Sequence, residues 1–139
     1  MSETVQNLGL HVEMAMDYAS AIARVTEALK TEGFGVLTEI DVKATLKKKL
    51  DVDFRPYVIL GACNPVLAHR ALSLAPELGL LLPCNVTVSA IDDQHTLVSI
   101  VDPLAMLGVV QREDIQPIAN EAREKLERVA ALLESQAGA

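Results

Sequence analysis

Two apolar, β-branched segments, residues 86–91 and 96–101, are separated only by Asp92-Asp93-Gln94-His95. Four polar residues are too few for a crossover, so the two segments must pair antiparallel as a hairpin. An all-parallel sheet is thereby excluded. Upstream, Leu8, Leu10, Val12, Met14 and Met16 alternate with Gly9, His11, Glu13 and Ala15. That period of two predicts a strand within residues 5–16 with one buried face.

Asp17 then stands as a helix N-cap, followed by a stripe of Ala21, Ile22, Val25, Ala28 and Leu29 at spacings of three and four. Gly33 is placed to close that helix in the left-handed conformation. Residues 34–40 alternate again, with Phe34, Val36, Thr38 and Ile40 on one face. Asp41 caps a short helix over residues 42–50, with Lys43, Lys47, Lys48 and Lys49 outward. Residues 57–62 are apolar without alternation, as in a strand covered on both faces. Asn64-Pro65 starts a helix, a favoured cap followed by a favoured first residue. Pro76 and Gly79 stop it near residue 75.

Asp102-Pro103 ends the hairpin's second strand, and residues 104–110 give no clear assignment. Asp114 is placed to cap a last helix over residues 115–135. Its seam of Ile115, Ile118, Ala122, Leu126, Val129 and Leu133 must pack on a sheet or on a partner chain. The order predicts a single α+β domain over residues 1–139: a mainly antiparallel sheet, helices packed on one face, and a long C-terminal helix.

Half of the 139 residues are hydrophobic, yet only two Phe, two Tyr and no Trp are present, so the core is aliphatic. A net charge of −7 argues against nucleic acid, which needs a cationic face, and platforms for stacking bases are scarce. No apolar run reaches membrane-span length. The N-terminal residues lack the cationic start and apolar core of an export signal. Two cysteines in such a chain are expected as thiols in a reducing cytoplasm, not as a structural disulfide.

Each cysteine is followed by asparagine, and each pair adjoins a proline: Cys63-Asn64-Pro65 and Pro83-Cys84-Asn85. Cys63 falls just before a helix N-terminus, where backbone N–H groups favour an anion. If the strands carrying them are neighbours, the two thiols suit a soft metal or a redox pair. Their separation matches no metal signature, and both also fit plain core positions. Asn64 and Asn85 offer amides to an anionic or carbonyl-bearing ligand, although a helix cap alone accounts for Asn64.

His69 lies six residues beyond Cys63 and off its helix face, a poor position for a base. His11 and His95 share no element at ligand spacing, so a histidine metal site is not expected. Glu39 and Asp41 could form a carboxylate pair for acid–base work, or Asp41 caps the lysine-rich helix and Glu39 is solvated.

Phe34-Gly35-Val36-Leu37-Thr38-Glu39-Ile40-Asp41, the lysine-rich helix, residues 57–65 and residues 79–86 come in an order that resembles the bacterial and archaeal domain of unknown function 302 family. The resemblance covers roughly residues 34–102. It implies a TATA-binding-protein-like α+β fold and a homodimer, and it implies no known reaction. It marks Asn64-Pro65 and Pro83 as regular features, with cysteines in some members and not in others.

Three functions follow as expectations. The first is a small-ligand or soft-metal binding module at Cys63, Asn64, Cys84 and Asn85, with Cys63 and Cys84 as the metal ligands. The second is an enzyme using one cysteine as nucleophile or redox centre. The third is a structural or interaction protein.

Overall fold

The computed structural model describes residues 7–137, so residues 5 and 6 of the expected first strand lie outside the described residues. The elements are β1 (Gly9–Met14), α1 (Tyr18–Lys30), β2 (Gly35–Asp41), α2 (Val42–Leu50), β3 (Tyr57–Cys63), α3 (Pro65–Leu74), a 3-10 turn (Pro76–Leu81), β4 (Cys84–Asp92), β5 (His95–Val101), α4 (Pro103–Leu107) and α5 (Gln116–Ala137). All five strands form one antiparallel sheet in the order β1-β5-β4-β3-β2. This is an α+β fold with a long C-terminal helix.

Side-chain caps set most helix starts. Asp17 accepts from the Ser20 N–H at 3.1 Å, and Asp41 from the Ala44 N–H at 2.9 Å. Gly33 takes φ +83°, as the end of α1 requires. Asp114 does not cap α5. Its two carboxylate oxygens take the Arg112 guanidinium at 3.0 and 2.6 Å, and the helix proper begins at Gln116. The unassigned stretch 104–110 begins within α4, whose cap is Asp102: it accepts from the Leu104 N–H at 2.9 Å. The hairpin loop is shorter than expected. Asp92 pairs with His95 across the strands, and only two residues turn between them.

One face of the sheet carries the core. Val12 and Met14 of β1, Val58, Leu60 and Ala62 of β3, Val86 and Val88 of β4, and Val98 and Ile100 of β5 are buried against α1 and α5. Residues 57–60 alternate by burial, and from Leu60 to Ala62 the strand is buried on both faces, as its continuous apolar run predicts.

Strand β2 departs from its expected alternation. Its ladder shifts between Val36 and Thr38, so that Val36 sits opposite Ala62 while Ile40 sits opposite Ile59. A bulged residue changes the parity of everything after it. Val36 packs on the core, whereas Leu37 and Ile40 are 68% and 50% exposed.

The seam of α5 is spent within the chain. Leu126, Val129 and Leu133 join the main cluster under the sheet. Ile115, Ile118, Ala119 and Ala122 join a second cluster with Leu67 and Ala71 of α3, Leu78 and Leu107. Arg128 of α5 also binds the Glu32 carboxylate at 2.9 Å. Leu126→Ala is expected to cost about 2–5 kcal/mol in urea unfolding. Leu126→Glu should prevent folding, not separate folded chains from one another.

Candidate functional site

An apolar cavity of about 290 Å³ opens where the two clusters meet. Its walls come from Phe34 and Thr38, the end of β3 with the start of β4, α3, the 3-10 turn, α4, and the first turns of α5. Aliphatic side chains dominate, with Leu67, Ala71, Leu78, Leu107 and Ile118 among them. Cys63, Asn64 and Cys84 border it together. Asn85 does not. The pleat turns successive residues to opposite faces, and Asn85 lines a different cavity on the other side of the sheet.

Strands β3 and β4 are neighbours, with Ala62 directly opposite Cys84. The two cysteines are thus offset by one position in the ladder. Both are free thiols, Cys84 buried and Cys63 half-buried. Among the described residues no group of three His, Cys, Asp or Glu side chains is gathered to hold a metal. A soft metal here would rest on the two sulfurs.

Asn64 is used architecturally at both ends of its amide. Its Oδ1 accepts from the Leu67 N–H at 3.2 Å, capping α3, and its Nδ2 donates to the Glu32 carbonyl at 3.2 Å. The second contact ties the end of α1 to the start of α3. A side chain at Gly33 would crowd it, since a Cβ there lies 3.1 Å from Asn64 Nδ2. One N–H and one lone pair of the amide are left for a ligand.

Gly61 shapes the neighbouring wall. A Cβ at this position would run into Thr38 Oγ1 and come within 2.8 Å of Pro83 Cγ. Pro83 follows a cis peptide bond and leads into Cys84. Glycine lets Thr38 and Pro83 close over the strand beside the two cysteines.

The remaining candidates lie elsewhere. His69 is exposed on α3. His95 Nδ1 lies 2.8 Å from Asp92 Oδ1 in the hairpin. Glu39 is exposed, and Asp41 is the cap of α2. The cavity itself has no sequence signature, because its lining is drawn from five separated segments, 34–38, 62–72, 78–84, 103–107 and 118–122. The contribution of α4 was the readable part: Asp102-Pro103 is the same cap-plus-proline signal as Asn64-Pro65.

Burial pushes the Cys84 thiol up to about 11, with a smaller contribution from the charge of Cys63. An ordinary thiol titrates near 9. Between these values the unfolded chain has lost a proton that the folded chain keeps. The stability is therefore full below about pH 9 and falls as pH rises to about 11, by on the order of 2–3 kcal/mol. Urea unfolding across that range should show this loss in the native chain, and Cys84→Ala should lack it.

The architecture defines a class: a small α+β protein with a five-stranded antiparallel sheet, a long C-terminal helix and a ligand-sized apolar cavity at one end of the sheet. The sequence profile of the family described as "Domain of unknown function DUF302" matches residues 10–133, and the chain belongs to that family. The match reaches well beyond residues 34–102 on both sides. The chain is similar to the crystal structure of an uncharacterized conserved DUF302 protein from Bacillus stearothermophilus. The two are 31% identical with a TM-score of 0.79, over 94% of this chain and 98% of that one. No match is found among curated proteins. Among the described residues no helix is long and apolar enough to cross a membrane.

Proposed function

We propose that this protein is a binding module for a small apolar ligand, held in the cavity beside Cys63, Asn64 and Cys84. The observation that carries this reading is the cavity: about 290 Å³, walled by aliphatic side chains, with an amide and two thiols at one border. Ligand sites are mostly apolar pockets with a few polar groups that fix orientation. A cavity of about 150 Å³ is enough for a benzene ring, so one roughly twice that size suits a bicyclic ring or a short branched chain. Cys84 stays protonated at neutral pH and acts as a small apolar wall. The half-buried Cys63 and the spare N–H of Asn64 are the groups that would meet a polar end of the ligand.

Indole is a suitable probe. Calorimetric titration of the native chain should show saturable binding. Ala68→Phe, a change at a half-buried position of the wall, should reduce binding at least about tenfold with the circular dichroism unchanged. Binding that is absent, or indifferent to this change, would sink the reading.

The homodimer implied by the family resemblance belongs to the same proposal. The α5 seam is consumed in the core, so pairing would use another surface. Sedimentation equilibrium should give twice the 15.0 kDa chain mass, and should give it still after Cys63→Ser.

A further inference from the structure

The sheet face turned away from α1 and α5 differs sharply from the core face. Across it runs a row set by the strand register: His11 opposite Ser99, Ser99 opposite Thr87, Thr87 opposite Ile59. A second row places Leu97 opposite Ser89 and Ser89 opposite Tyr57. All of these except Ile59 line a cavity of about 340 Å³, bordered by Asn85. His11 Nδ1 lies 2.9 Å from Ser99 Oγ. Its other ring nitrogen, Nε2, is buried with no hydrogen-bond partner among the described residues. Buried polar atoms are nearly always paired, and an unpaired one asks for an explanation.

We propose that this face holds a second binding site, for a neutral polyhydroxylated molecule of sugar size, built on the His11–Ser99 pair. The chemistry of the lining selects that class. Ser99, Thr87 and Ser89 carry hydroxyls, and Asn85 an amide; each can both donate and accept. The imidazole donates from one nitrogen and accepts at the other, in either tautomer. A ligand hydroxyl can satisfy Nε2 in either role once the ring turns that nitrogen, buried in the free chain, toward the cavity. A carboxylate can only accept and an ammonium can only donate, and either would surrender its hydration. Arg55 at the border is engaged with Ser89 Oγ at 3.0 Å and lies over the Phe54 ring at 5.0 Å. Leu97 and the Tyr57 ring supply apolar surface for the C–H face of such a ligand. The volume lies at the small end of the range for ligand pockets. Asn85 thereby serves this cavity and not the one beside Asn64.

The three histidines of the chain make a direct test. Long-range nitrogen–proton spectra of the imidazoles would be recorded on the full chain during titration with myo-inositol, D-ribose and D-glucose. With at least one of the three, the His11 Nε2 signal should move saturably while His69 and His95 stay still. Asn85→Ala alters an exposed side chain and Thr87→Val is nearly isosteric, so both should fold. Each should weaken binding about three- to tenfold. If no probe moves His11 saturably, if all three histidines move alike, or if both variants bind as the native chain does, the proposal is overturned.

Discussion

The apolar stripe of α5 serves two clusters at once. Its C-terminal half lies against the sheet and α1, and its N-terminal half against α3, α4 and the 3-10 turn. Neither cluster is complete without it. The sheet underlies the first and not the second, so the two meet along a junction and not as one continuous core. The apolar cavity lies on that junction: Phe34 and Ala62 belong to one cluster, Leu67, Leu78 and Leu107 to the other. Protein interiors pack densely within a cluster. Space is left where two clusters abut.

The position of the cavity also follows from strand direction. β3 and β5 both run antiparallel to β4, so their C-terminal ends fall at the same edge of the sheet, where β4 begins. Each of those ends is terminated by the same local chemistry. Asn64-Pro65 after β3 and Asp102-Pro103 after β5 turn a strand into a helix, with a side chain accepting a backbone N–H and a proline where no N–H is needed. The helices they start, α3 and α4, wall the cavity on two sides. Cys63 and Cys84 sit there because one ends β3 and the other begins β4.

The two faces of the sheet are chemically unlike. The core face is Val, Ile, Leu, Met and Ala, with the buried Thr96 among them, its hydroxyl donating to the Met16 carbonyl at 2.9 Å. On the other, hydroxyls and an imidazole stand among scattered apolar residues. Period-two alternation produces this separation directly in β1 and β5, and in β4 as far as Ala90, where the ladder shifts before Asp92. In β2 the bulge at Leu37 breaks it and carries Ile40 to the face opposite Val36.

Local chemistry was legible in the chain itself. The caps Asp17, Asp41 and Asn64, the left-handed Gly33, the hairpin and the α5 seam depend on neighbours within a few residues. Periodicity alone placed the α+β class. Contacts distant in sequence could not be read this way. The bulge in β2 exists only against the register of β3. Asp114 met a nearer claim on its carboxylate from Arg112 and left α5 without its expected cap. Cys63, Asn64, Cys84 and Asn85 share one repeated motif, but Asn85 follows Cys84 in β4 and the pleat turns it to the other face. His11 looked like an isolated strand histidine until β1 paired with β5 and set it beside Ser99. The sequence by itself determined which segments become strands and helices and where most of them start, because those are short-range matters of hydrogen bonding and periodicity. Only the tertiary structure decided which side chains share a cavity, because that depends on strand order, register and pleat, which bring together residues far apart along the chain.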